Sequence, residues 1–378
     1  MAVATAVAPI PPVVGQAQPR VRLRSWTAVD VALLCGSAVS GAAFAWLLFR
    51  LTPLSGGLGF VLCTFGAALV LYWLVIGDIE GRVIAADKVM QVLVGAGAVT
   101  VLIPLGVIVV FVASRGLKAL RATFFVKTLQ SVGPLDPATA GGGLHAIVGT
   151  LEQVAIAFLL SVPLAILTAV YLNEVGGKFA RPVRFVVDAM SGVPSIVAGL
   201  FIYAVWIVQF GNGFSGFAGA LALSVLMLPT VIRTSEEMLR IVPDGLREAS
   251  LALGSPEWRT VCRVVLPTAR TGLITAAILG VARAVGETAP LIMTSFGAAI
   301  LNANPFGGAQ ASLPTFVYGL IRSPQQTQID RAWTGAFVLI VLVLALFTLA
   351  RVLGGRQVGA VRRPSRLRRL ARVMGGAG

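Results

Sequence analysis

Between Ala189 and Ile232 the chain runs for 44 residues without a charged side chain. A helix crossing a hydrocarbon core of roughly 30 Å needs about 20 mostly apolar residues, so this run is long enough for two. Gly211-Asn212-Gly213 interrupts it with a turn signal. Shorter charge-free runs cover Val31–Phe49, Leu51–Gly77, Val89–Ser114, Gln153–Asn173 and Ala332–Ala350. One more apolar stretch, from about Gly272 to Met293, carries only Arg283 and Glu287. The sum is an all-α integral membrane protein of about eight transmembrane helices. Only 12% of its residues are charged and 57% are hydrophobic. A soluble domain carries about a quarter charged, and a disordered chain is far less apolar, so both classes are excluded.

The 30 Lys and Arg against 15 Asp and Glu are read by their place along the chain. Arg20, Arg22 and Arg24 precede the first span, and eight arginines from Arg351 to Arg372 follow the last. Six more lie between Arg233 and Arg270. Basic flanks mark the cytoplasmic side, so both termini and that loop are placed inside. Arg115, Lys118, Arg121 and Lys127 fall in a loop this topology puts outside, one segment against three. Trp26 and Trp333 sit at span ends, where amphipathic rings anchor. Residues 1–25 read as a disordered tail. Ala43-Phe44-Ala45 resembles a signal cleavage site, but the apolar stretch continues through Phe49 and is too long for a signal core. The basic tail, 354–378, suits anionic lipid head groups. With no aromatic residue after Phe347, it offers nothing for nucleic acid to stack on.

Catalytic motifs are scarce. A P-loop needs a glycine five residues before its Gly-Lys pair, yet Leu172 stands there ahead of Gly177-Lys178. There is one histidine, His145, for which a solvent-facing or capping role before the fourth span is expected, and three cysteines, Cys35, Cys63 and Cys262. These are too few for a metal site or disulfide framework. The expectation is a non-enzyme that binds no cofactor or metal itself.

The segment Thr234–Pro267 is too polar for a bilayer and patterned as two short helices. The first opens after Pro243 with Asp244 as N-cap and ends at Gly254. The second opens with Ser255 as N-cap, Pro256 at the first helical position and Glu257 beside the positive end, and Leu266-Pro267 is expected to stop it. Trp258 would project from this helix–Gly–helix knob. The plain alternative is an amphipathic connection lying on the membrane.

Glu248-Ala249-Ser250, then Gly254, then Val264-x-Leu266-Pro267 resembles the EAA loop of ABC-importer permeases, whose pattern is Glu-Ala-Ala, three residues, Gly, nine residues, Ile-x-Leu-Pro. Ser250 and Val264 are the departures. The resemblance implies that Glu248, Ala249, Gly254, Trp258, Leu266 and Pro267 couple the chain to an ATPase. Gly192-Val193-Pro194-Ser195-Ile196 and Gly286-Glu287-Thr288-Ala289-Pro290-Leu291 are similar to the third and fifth core helices of the PstA family, the A subunits of phosphate-specific permeases. Thr123-Phe124-Phe125 and Gly149-Thr150-Leu151 resemble it too. What the family implies is a C-type phosphate permease partner, two copies of an ATPase subunit that hold ATP and Mg, and an extracytoplasmic phosphate-binding protein, in a bacterial inner membrane. Its six-helix core would cover 89–353, leaving the two helices within 26–88 as additions of open role.

Arg283 and Glu287 are four apart, so on a helix they share a face and can pair. Charges at membrane depth cost about 2.5–3.5 kcal/mol on insertion scales and turn toward a bundle interior or a wet cavity. The guanidinium fork suits a phosphate oxyanion, with Glu287 steadying it and Thr288 as a possible further donor; alternatively the pair only joins helices. Glu152 and Asp188 are read as interfacial. Three rivals to a phosphate importer stay open: a permease for another oxyanion such as molybdate or sulfate, an ion-coupled secondary transporter, and a non-transporting scaffold.

Overall fold

The computed structural model describes residues 27–137 and 139–354. The N-terminal tail with Arg20, Arg22, Arg24 and Trp26 lies outside the described residues, as does the basic tail beyond Gly354. The chain divides into two compact units, one up to Gly106 and one from Val107.

In the first unit, α1 (Ala28–Leu51) and α2 (Gly57–Glu80) form a hairpin, followed by the first part of α3 (Arg82–Ala119). Thr27 and Asp30 make a reciprocal capping box at the start of α1. The hairpin closes at Gly41, where a Cβ would stand 2.7 Å from Ala68 N and 2.9 Å from Thr64 O. Such small-residue approaches replace the hydrophobic drive that lipid cannot supply. Buried Lys88 of α3 lies 2.5 Å from Asp30 Oδ1 and 3.0 Å from Glu80 Oε2, tying the ends of three helices together.

The second unit is built on α4 (Leu144–Val170), α7 (Gly216–Arg240) and α10 (Leu266–Val285). Their contact is lined by Ala157, Ala165, Ala220, Met227, Ala276 and Ala284, mostly small residues that let the backbones approach. Ser161 and Ser224 donate to carbonyls one turn back, so neither leaves a hydroxyl unpaired in the core. Around this trio lie α5 (Ala180–Ser191), α6 (Ser195–Ile202), α11 (Ala289–Thr294), α12 (Leu313–Ile321) and α13 (Gln326–Gly354).

Seven helices among the described residues are long and apolar enough to span a membrane, and a bent pair makes an eighth if counted as one span. That pair is α5 with Ser195–Gln209, folded by 107°. The expected helix from Ala189 is therefore two. Pro194 forces extended backbone on its approach, so α5 stops at Ser191 and the 15 residues after the break reach only about 22 Å. The turn at Gly211-Asn212-Gly213 is where expected, with Ser215 capping α7 through Ala218 N.

The stretch read as Gly272–Met293 is also corrected. Helix runs without interruption from Glu257 to Val285, breaks at 286–288 and resumes as α11. Leu266-Pro267 does not stop it. A π turn at Val261–Val265 directly precedes Leu266-Pro267, and Pro267 stands within the continuous helix just after it. His145 faces inward rather than toward solvent: it is 3% exposed, edge-on to Phe316 at 5.6 Å, and its Nδ1 has no hydrogen-bond partner among the described residues.

The two broken helices meet where α6 crosses α11. A Cβ on Gly199 would lie 2.6 Å from Pro290 Cα and 3.0 Å from Pro290 O. Replacing Gly199 by Leu must push these segments apart, at about 1–3 kcal/mol for overpacking. A melting temperature unchanged in detergent-solubilised G199L protein would disprove this contact.

Candidate functional site

The break at Gly286-Glu287-Thr288 sets the first constellation. Arg283 lies in the last turn of α10, with its side chain 44% exposed. Its Nη1 donates to Thr230 Oγ1 of α7 at 3.2 Å. Glu287 folds back so that Oε1 stands 3.9 Å from Arg283 Nε, in ion-pair range but too far for a hydrogen bond. The pair thus forms across the helix end rather than along a continuous face. Thr288 begins α11, its carbonyl accepting from Ile292 N while its hydroxyl makes no cap bond. Among the described residues the Thr230 contact is the only hydrogen bond of the Arg283 side chain, so most of its donor fork stays open.

The second constellation is the loop after α7. Helix α8 (Asp244–Ala252) has no buried residue, and α9 (Glu257–Thr260) follows after Gly254 at φ +77°. That left-handed backbone is what a glycine at a helix end permits. The caps differ from expectation: Pro243 and Pro256 occupy both N-cap positions in extended conformation, which displaces Asp244 into the first turn and leaves Ser255 outside α9. Glu248 and Ala249 are exposed, as are Gly254 and Pro267, while Leu266 is half-buried. Trp258 is 63% exposed beneath the Arg259 guanidinium, and Leu253 is 87% exposed. Ser250, a departure from the motif, hydrogen-bonds Thr260 at 2.8 Å and joins the two short helices.

Several residues that sequence reasoning passed over fix this loop to the bundle. Arg247 grips Glu174, in the π turn (Tyr171–Val175) that continues α4, with two bonds, Nε to Oε2 at 3.1 Å and Nη2 to Oε1 at 2.9 Å. It also donates to the carbonyls of Leu239 and Val242 at 3.0 and 2.7 Å, and to Asp244 at 2.9 Å. The Glu174 carboxylate, ahead of Asp244, raises the Arg247 pKa above the ordinary guanidinium value. Beside it Glu236, only 3% exposed, accepts from Arg184 and Arg233, and Arg233 also pairs with Asp188. At the other end of the bundle Glu152 accepts from Gln310 at 2.5 Å, and Gln310 from Gln153 at 3.0 Å.

Residues 161–363 match the family model described as "Binding-protein-dependent transport system inner membrane component". The chain belongs to this family. It is 45% identical over 250 residues to "Phosphate transport system permease protein PstA 1" of Mycobacterium tuberculosis (strain CDC 1551 / Oshkosh), covering 66% of this chain and 82% of that one. Over 247 residues it is 44% identical to "Phosphate transport system permease protein PstA" of Mycobacterium leprae (strain TN), covering 65% and 81%. A chain of the bacterial alginate ABC transporter, in complex with alginate pentasaccharide-bound periplasmic protein, shares the fold at TM-score 0.51 and 15% identity, over 72% of this chain and 96% of that chain.

The protein is accordingly an inner-membrane permease component of an ABC transporter, not an ion-coupled secondary transporter. Among the described residues no group of three or more His, Cys, Asp or Glu stands close enough to hold a metal. The Arg247–Glu174 joint ties the α8 end of the polar loop to the bundle. Replacing Arg247 by Ala should cost about 1.5–3 kcal/mol for the charged bonds lost. Hydrogen exchange over 243–256 should rise while that over α10 stays the same. Unchanged protection of α8 in R247A would rule out the joint.

Proposed function

We propose that this chain is the A-type transmembrane permease subunit of an ATP-driven importer of inorganic phosphate. The observation that carries the reading is an open arginine fork at a helix break, beside a carboxylate held too loosely to occupy it. The names of the relatives at 44–45% identity point to the same substrate. In this reading both termini and the α8–α9 loop face the cytoplasm. A C-type permease supplies the other wall of the path, and an extracytoplasmic binding protein delivers phosphate. Two ATPase subunits, which hold ATP and Mg, receive the exposed face around Glu248, Ala249, Gly254 and Trp258. Residues 26–88 are additions to a permease core spanning 89–353, and this chain carries out no catalysis of its own.

The chemistry at Arg283 follows from geometry. A phosphate oxyanion entering beside α10 finds guanidinium N–H groups that Thr230 does not use. Two parallel charge-assisted bonds replace the 3.9 Å contact with Glu287. Glu287 then limits how tightly the anion is held, because its own negative charge stays within a few ångströms. Closure of the ATPases moves α8, and the stretch from Glu257 to Val285 connects that loop to Arg283 as one helical piece.

The test is uptake of labelled phosphate in cells that lack their own A-type subunit and co-express the three expected partners. Arg283→Gln should lower uptake at least tenfold, about 1.4 kcal/mol, with the complex still assembled. Arg283→Lys, which keeps the charge and loses the fork, should fall between. Full uptake with R283Q would remove the arginine from the path. Uptake of molybdate or sulfate in preference to phosphate would redirect the substrate.

A further inference from the structure

On the side of α10 away from Arg283, the helices α4, α10 and α13 enclose a groove of 460 Å³. All of its lining residues are apolar except Thr150 and Arg270. Arg283 lies 13 residues beyond Arg270, which at 100° per residue is about 220° round the helix, so the groove is no part of the arginine–glutamate constellation. From Arg270 to Val285 the wall is about 22 Å long, deeper than one leaflet of a core roughly 30 Å thick.

The end of the groove differs from its walls. Arg270 is exposed, and among the described residues it has neither an acidic nor a hydrogen-bonding partner. The same holds for Arg351, which follows the lining residue Ala350 on α13, and for Arg263, two turns before Arg270. Arg184, Arg233 and Arg247, by contrast, are committed to carboxylates. A long apolar slot that ends in unneutralised guanidinium groups is complementary to a molecule with one anionic end and a long hydrocarbon body.

We infer that this groove is a binding site for an anionic phospholipid, its acyl chain lying between α4, α10 and α13 and its phosphate held by Arg270 with Arg351. Basic pockets between helices at the cytoplasmic side of a membrane capture anionic head groups, and the bilayer supplies the ligand at high local concentration. A bound chain fills space that the three helices do not close among themselves. Because α10 is also the helix that carries Arg283 and continues from the α8–α9 loop, the lipid would bear on the one element joining both constellations.

The experiment uses the full chain, purified in detergent and equilibrated with equal amounts of phosphatidylglycerol and phosphatidylcholine, with retained lipids counted by native mass spectrometry. Phosphatidylglycerol should be retained preferentially. Arg270→Gln should reduce its retention about fivefold, the effect of one cation near a charged surface, while Arg270→Lys should preserve most of it. Ala155 is an exposed lining residue, so Ala155→Trp obstructs the groove without displacing the core and should abolish retention of that lipid. A phosphatidylglycerol carrying a photoreactive group on its acyl chain should label α10 and α13 in the unaltered protein, which decides the matter even where a variant folds poorly. Equal retention of both lipids, or full retention in R270Q and A155W, would overturn the site. So would labelling confined to other helices, or, in the assembled complex, crosslinks from position 155 to another protein chain in place of lipid.

Discussion

A backbone that leaves the helix inside a bilayer exposes N–H and C=O groups that lipid cannot satisfy. Among the described residues the helical path is interrupted within apolar stretches at Gly192-Val193-Pro194 and at Gly286-Glu287-Thr288. The segments that resume after them, α6 and α11, pack against each other at Gly199 and Pro290, where only a glycine leaves room. Local bonds satisfy the freed groups: Gly192 N to Ala189 O, Glu287 N to Ala284 O, Ile292 N to Thr288 O. The second break then has a consequence beyond structure. It ends α10 just past Arg283 and lets Glu287 fold back beside it, so that the two charges sit together at the helix end.

At the opposite end of α10 the constraint is mechanical. A polar loop on flexible connections could not move membrane helices, because it would yield before they did. Here the loop has no slack at either end. On one side Arg247 is bonded to Glu174, in the π turn that continues α4, to the Leu239 carbonyl near the end of α7 and to the Val242 carbonyl just past it. On the other, α9 continues through a π turn into α10 without a break. Pro267 stands just past that π turn without ending the helix.

The spans were legible because the bilayer imposes a length and a ban on charge that composition reports directly. The glycine at the end of α8 was legible for a similar reason, since few residues tolerate φ +77°. Leu266-Pro267 misled because proline is read as a helix stop from local rules, and a π turn several residues earlier is invisible to them. The break before Ser195 was half seen: Gly192-Val193-Pro194 marked the start of a helix, but nothing in a charge count showed that the preceding residues form a separate helix at 107°. His145 misled because polarity near a span end suggests water, whereas which face it occupies depends on Phe316, 171 positions away. Arg247 was missed on the same grounds, its partner Glu174 being 73 residues distant.

Two arginines on one helix show how far residue type alone can go. Arg270 and Arg283 both lie on α10 with guanidinium N–H groups left open among the described residues, and each would suit a phosphate. Their surroundings separate them. Arg283 stands beside a carboxylate, a threonine and a stretch of open backbone, a polar setting in which a small anion can arrive and leave. Arg270 stands at the end of an apolar slot with no carboxylate to compete, a setting that rewards a ligand bringing its own hydrocarbon and does not release it readily. The difference is one of side as much as of neighbours: about 220° of rotation puts the first against α7 and the second toward α4 and α13. A single helix can therefore present a transient anion site on one face and a persistent one on the other, provided nothing small enough to cross is held by the second.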